Sequence, residues 1–203
     1  MARRQDHTRD QLKGMILETA WGIIGKDGLE GLSARRIATD IGYTPGTIYN
    51  VFESMDDLYL HVNGRTLDRL YDELNGAACN DPTKTPVQNM KTMARLYMAF
   101  AQEYRPYWVM LFSHRLPEGR QMEDWYQEKI DRLFDPLEAL LKPLFAPKQG
   151  RKRKMAARVL WSSVHGLCFL HEMGKAHLVG RESPVDMSSY LIDTFTKGLI
   201  DRT

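Results

Sequence analysis

SARRIATDIGYTPGTIYNVFESMDDL, residues 33–58, reads as a short helix, a tight turn, a second short helix and the capped start of a third. Ser33 is placed to cap the first helix, its hydroxyl accepting an otherwise unpaired backbone N–H. Ile37, Ala38 and Ile41 recur at helical spacing and give that helix an inner face. Gly42 stands where two helices meet steeply, and only glycine takes a left-handed turn conformation there without steric cost. Thr44 followed by Pro45 signals the second start, an N-cap hydroxyl and then proline in the first helical position. Ser54 with Asp57 three residues on is a capping-box-like start for the next helix.

At roughly 100° per residue, Ile48, Val51 and Phe52 share the inner side of the second short helix. Gly46 and Asn50 point the opposite way, flanked by Thr47 and Tyr49. That outer face is small, polar and aromatic, and its glycine lets another surface approach the backbone. It suits a DNA major groove, where Asn can read adenine while Thr and Tyr hold phosphate. A solvated face on an ordinary helix pair has the same spacing, so spacing alone does not decide between them.

Ile41-Gly42-Tyr43-Thr44-Pro45-Gly46-Thr47-Ile48-Tyr49-Asn50-Val51-Phe52, continuing through Ser54 to Leu58, closely resembles the DNA-binding segment of the TetR family of bacterial transcriptional repressors. The match covers about residues 8–60. The resemblance implies phosphate or base contacts at Ser33, Arg35, Arg36, Thr44, Pro45, Gly46, Thr47, Tyr49 and Asn50. Two positions depart from the family pattern. Met55 replaces the usual phosphate-binding lysine, and Val51 replaces a common histidine. Both losses imply weaker non-specific DNA affinity than the family norm.

The 203 residues suffice for one large domain or for a small one plus a larger one. A formal charge of +2 does not by itself imply nucleic acid, and Met1 to Met55 carries seven Lys/Arg against seven Asp/Glu. Any DNA-facing positive field must therefore come from placement. Two cysteines, Cys79 and Cys168, make no disulfide framework and point to a reducing cytosol. The start MARRQDHTRD shows no signal-peptide pattern, and no run approaches the ~18 apolar residues of a membrane span. A cytoplasmic protein is expected, with no membrane partner.

Arg3, Arg4, Arg9 and Lys13 form either a solvated terminus or a basic arm beside the recognition helix. From Thr8 onward Leu12, Ile16, Ala20 and Ile23 mark a first helix, which Gly28 ends. The spacing predicts a connecting helix over 56–76, interrupted by Gly64, then a linker over 77–86. Beyond it the chain reads as helices at 87–103, 118–145 (kinked at Pro136), 155–177 and 184–199. The basic run Arg151-Lys152-Arg153-Lys154 is expected in the loop before the next helix, because cations disfavour a helix start. The expected fold is all-α. An N-terminal three-helix helix-turn-helix DNA-binding domain (1–58) precedes a larger helical ligand-binding and dimerisation domain (59–203).

Tyr97, Met98, Tyr104, Trp108, Phe112, Trp125 and Trp161, with His165, concentrate large side chains in the middle of the chain. A plain core has this spacing too. The excess of Tyr, Trp and Met over Leu and Ile favours a pocket for a small apolar ligand. His165, Cys168 and Glu172 could share a helical side, but a metal site needs three or four converging ligands, so no metal or other cofactor is expected.

Trp161 to Gly166 resembles a Trp-three-residues-His-Gly signature of one TetR branch. Ser162 and Gly166 are small, with Phe169, Leu170 and Met173 behind them and Tyr190, Leu191, Thr194 and Phe195 on the last helix. The resemblance implies that these two helices form a four-helix homodimer interface. It further implies a repressor released from a palindromic double-stranded operator by a small apolar ligand. An activator or a ligand-independent DNA-binding protein of the same fold is the alternative. No nucleophile–His–Asp arrangement, phosphate-cradling glycine loop or strong metal motif argues for an enzyme.

Overall fold

The computed structural model describes residues 7–200. Arg3 and Arg4 of the basic terminal run lie outside them. Among the described residues the regular structure is helical: α1 (Arg9–Asp27), α2 (Ala34–Asp40), α3 (Pro45–Val51), α4 (Met55–Leu74), α5 (Pro86–Glu103), α6 (Arg105–Ser113), α7 (Asp124–Arg132), α8 (Asp135–Leu141), α9 (Gly150–Glu172) and α10 (Pro184–Ile200). No helix among them is long and apolar enough to cross a membrane. The chain divides into two compact units, Met1–Thr66 with Pro106–Tyr126, and Leu67–Arg105 with Gln127–Thr203. Helix α4 contributes to both, running unbroken through Gly64 where an interruption was expected.

In the first unit Thr8 caps α1 in a reciprocal box with Gln11, and Gly28 ends the helix at φ +70°. Ile16, Ala20, Ile23 and Ile24 of α1 are buried, as are Ile37 and Ala38 of α2 and Ile48 of α3, and α1 packs against both short helices. Segment 106–126 belongs to this unit although its sequence neighbours on both sides belong to the other. The Tyr107 ring stacks on Trp21 at 3.8 Å between centroids, and its hydroxyl donates to the Trp21 carbonyl at 2.8 Å. His114 Nε2 lies 3.0 Å from Asp56 Oδ1, and Arg120 donates to Ser54 Oγ at 3.0 Å.

In the second unit α5 is the central element. Thr85 caps it, and α8, α9 and α10 pack against it. The spacing marks Met90, Met93, Ala94, Tyr97, Met98 and Ala101 as its inward residues; all are buried except Met98, which is half-buried, and Phe100 is buried in addition. Two expectations are corrected here. The single helix over 118–145 is instead α7, α8 and a 3-10 turn at Lys142–Leu144, because Pro136 starts a new helix and does not kink an old one. The run Arg151–Lys154 lies inside the start of α9, not before it. The dipole penalty for cations there is small, about 0.3–1 kcal/mol each at an exposed site. Glu138 offsets it, facing Arg158 at 3.3 Å and Arg153 at 4.0 Å.

Candidate nucleic-acid interface and apolar cavity

The turn between α2 and α3 is built as its residues demand. Ser33 Oγ accepts from the Arg36 N–H at 3.2 Å, and Gly42 adopts φ +75°. Pro45 opens α3, but the Thr44 hydroxyl makes no capping bond. It sits 3.4 Å from the Thr47 hydroxyl instead, so both point along the same outer edge. Here the N-cap expectation holds for position and not for the side-chain bond. At the start of α4 the Asp57 N–H donates to Ser54 Oγ at 3.1 Å, while the Asp57 carboxylate accepts from the Glu53 N–H at 2.9 Å.

Burial sorts α3 into two faces. Ile48 and Val51 are buried, as is Phe52 just beyond the helix end, whereas Thr44, Pro45, Gly46, Tyr49 and Asn50 are exposed and Thr47 is half-buried. Tyr49 is 52% exposed, high for a tyrosine, and stands out beside Asn50. Arg35 is exposed near the same edge. Arg36 is not free in the same way, since its guanidinium is held by Asp27 and by the Gly31 carbonyl. The inward position of Val51 explains why a histidine could be lost there without leaving a gap in the outer face. Behind this surface Lys13 Nζ lies 2.8 Å from His61 Nε2, and Arg9 donates to the Val51 carbonyl at 3.4 Å. These bonds tie α1 to the end of α3 and to α4.

A separate cavity of about 40 Å³ lies within the second unit. Leu74 from α4 and Met90, Met93, Ala94 and Tyr97 from α5 line one part of it. Leu133, Phe134 and Leu137, with Leu160, Trp161 and Val164 of α9 and Ile192 of α10, close the rest. Of the aromatic set marked in the sequence, Tyr97 and Trp161 reach this cavity, and His165 touches it through Tyr97. The Tyr97 hydroxyl and His165 Nδ1 are 2.6 Å apart, and the His165 ring stacks on Trp161 at 4.9 Å and 12°. Burial pushes the His165 pKa below the usual imidazole value.

The other marked residues lie elsewhere. Met98 is half-buried away from the lining, and Tyr104 stacks on Phe100 at the end of α5. Trp108 and Phe112 pair with each other on α6, and Trp125 packs on His61, all within the first unit. Aromatic content could not distinguish these groups, because helical spacing says which residues share a face and nothing about which partner covers it. The aliphatic lining was legible only as the inward face of α5. Among the residues weighed as metal ligands, Glu172 pairs with Arg105 at 3.3 Å and Cys168 is buried with its pKa pushed up to about 12 by burial and then by Glu172.

The last two helices leave apolar side chains uncovered. Met155, Val159, Phe169 and Tyr190 are 59%, 49%, 41% and 73% exposed, and Ser162 and Thr194 are exposed among them. Gly166, Leu170, Met173, Leu191 and Phe195 are half-buried.

Residues 16–62 match the family profile described as bacterial regulatory proteins, tetR family. Residues 90–195 match the profile described as Tetracyclin repressor-like, C-terminal domain. The chain is 25% identical over 178 residues to the HTH-type transcriptional regulator PksA of Bacillus subtilis (strain 168), covering 85% of this chain and 83% of that one. In fold it is similar to a protein with unknown function from Rhodococcus sp. RHA1, with a TM-score of 0.73, 19% identity and coverage of 98% and 100% of the two chains. It is also similar to PfmR, a TetR family transcriptional regulator from Thermus thermophilus, with a TM-score of 0.56, 16% identity and coverage of 90% and 97%. The helix-turn-helix is thus matched by one profile and more than half of the 203 residues by the other, and the chain belongs to the TetR family of DNA-binding transcriptional regulators.

Proposed function

We propose that this regulator is a cytoplasmic, homodimeric repressor released from a palindromic operator by a small apolar ligand. The observation that carries the reading is the two-faced α3, with Ile48 buried and Tyr49 and Asn50 exposed beside Pro45 and Gly46. Two such helices related by a two-fold axis would enter successive major grooves about 34–36 Å apart. Asn50 would read a base edge, and Thr47 would hold phosphate. Ser33, Arg35, Thr44 and Tyr49 would hold phosphates, with Arg36 limited by its bonds to Asp27 and Gly31.

The uncovered apolar side chains of α9 and α10 support a dimer that buries Phe169 and Tyr190 against a second copy. The stacking of Trp161 on His165 supports the branch resemblance, since it gives that motif a physical role. The cavity lined by Tyr97 and Trp161 is the proposed ligand site. Its ligand would act only through different affinity for two dimer geometries, one matching the groove spacing and one not.

Gel-shift titration against the DNA upstream of the chain's own gene, with and without apolar candidate ligands, tests operator binding and release, and the mass in solution tests the dimer. Specific retardation relieved by a ligand supports repression with release. Retardation without relief leaves a ligand-independent regulator. A strictly monomeric mass at micromolar concentration contradicts the dimer. With Met55 in place of a phosphate-binding lysine, the dependence of log affinity on log salt should be shallower than in a Met55→Lys variant, by about one per added phosphate contact.

A further inference from the structure

We infer that the cavity takes an uncharged, largely apolar molecule carrying a single hydrogen-bonding group, a hydroxyl or a carbonyl, and that Tyr97 and His165 read that group. This rests on the proposal that the cavity is the ligand site. Three observations carry it. Among the described residues, the side chains lining the cavity include none that is charged. A carboxylate or ammonium entering it would leave water without an opposite charge to meet it, and would have to become neutral instead. Arg158 lies 4.5 Å from the Phe134 ring of the lining, but its guanidinium is engaged by Glu138 and Asp131.

The second observation is the Tyr97 hydroxyl, placed by an otherwise apolar helix face at 2.6 Å from His165 Nδ1, with Tyr97 only 2% exposed. A ligand hydroxyl can bridge the pair, accepting from one partner and donating to the other, and a ligand carbonyl can accept the Tyr97 hydroxyl proton when His165 Nδ1–H is the donor to that oxygen, so in either case no polar atom need lose its partner. A hydrocarbon ligand has nothing to exchange. Trp161, stacked on His165 and edge-on to Tyr97, fixes the imidazole's orientation.

The third is size. At about 40 Å³ the cavity has space for only a few waters, each needing roughly 10–15 Å³. A ligand must therefore displace a wall. Met90 and Met93, unbranched and adaptable, are the lining side chains that can repack most easily. Recognition then combines a mobile apolar wall on α5 with a fixed polar pair at Tyr97 and His165.

Calorimetry on the full chain at neutral pH, with 2-naphthol, naphthalene, 2-naphthoate, octan-1-ol and octanoate as probes, tests this. Each alcohol should bind at least about tenfold more tightly than the carboxylate on the same skeleton. 2-Naphthol should exceed naphthalene by about fivefold, the value of one net hydrogen bond. In Tyr97→Phe and in His165→Phe that preference should disappear while naphthalene binding is retained. Tyr97→Phe is near-isosteric, so it remains informative even if His165→Phe fails to fold. Carboxylates binding as well as alcohols, or an alcohol preference surviving in Tyr97→Phe, overturns the inference. A different failure identifies the underlying proposal: if none of the five probes binds, or if binding persists unchanged in a folded Ala94→Phe or Val164→Phe variant, the cavity is not the ligand site at all.

Discussion

The Tyr107 hydroxyl stands 2.5 Å from where a β-carbon on Gly25 would be, so α6 approaches α1 at a residue that has no side chain. Gly25 is helical, and alanine there would ordinarily gain about 1 kcal/mol from helix propensity. Here it meets a hydroxyl held by the Trp21 carbonyl and a ring held by the Trp21 stack. Gly25→Ala should therefore lower the melting temperature. Combined with Tyr107→Phe, whose own cost is about 1 kcal/mol for the lost hydrogen bond, the alanine should become neutral or stabilising, since the next ring atom is 3.4 Å away. A thermal double-mutant cycle measures this, and additive losses would sink the idea.

Stability and DNA affinity should separate cleanly on α3. Asn50→Ala removes an exposed side chain and should leave stability within about 0.5 kcal/mol. It should weaken operator binding by about 1–3 kcal/mol, the worth of one good base contact. Ile48→Ala, at a fully buried position, should cost about 2–5 kcal/mol of folding free energy. Parallel urea melts and gel shifts distinguish the two. Equal losses in both assays for Asn50→Ala would place that residue in the core and not at the groove.

Acid should weaken the second unit through His165. Its pKa is depressed by burial from 6.5 in the folded chain, so below about pH 6.5 the unfolded state binds a proton that the folded state refuses. The contribution is present in full above the unfolded value and is lost as pH falls through the folded one. Melting temperature followed between about pH 7 and 5 should drop less steeply in His165→Phe than in the parent chain. Identical slopes would mean that the histidine titrates alike in both states.

Both thiols should be silent in the native protein. Cys79 and Cys168 are buried, and burial raises the pKa of each, that of Cys168 to about 12. Maleimide labelling at neutral pH should be negligible until denaturant is added, and then modify two cysteines per chain. Rapid native labelling of Cys168 would show that α9 opens readily around that residue.

What the sequence made legible was local. Ser33, Gly42, Pro45 and the inward Ile48 act through their immediate neighbours, so the helix-turn-helix could be read almost residue by residue. The misreadings came from interactions whose partners are distant. Arg151–Lys154 reads as loop until Glu138 is seen beside Arg153 and Arg158. Trp108, Phe112 and Trp125 read as pocket residues because apolar faces carry no address. Contacts distant in sequence, such as the Trp21–Tyr107 stack, the His114–Asp56 pair and the His61–Trp125 contact, show that they belong with the first unit. Tyr97 and His165 are 68 positions apart, and no spacing rule links them.

The first unit is discontinuous: among the described residues, those up to Thr66 and those of 106–126 form one compact body. Its recognition helix is therefore not a detachable N-terminal module. A fragment ending at residue 66 would strip the stack from Trp21, the imidazole from Asp56 and the guanidinium from Ser54. Chimeras that exchange the helix-turn-helix between relatives should therefore carry both stretches across together.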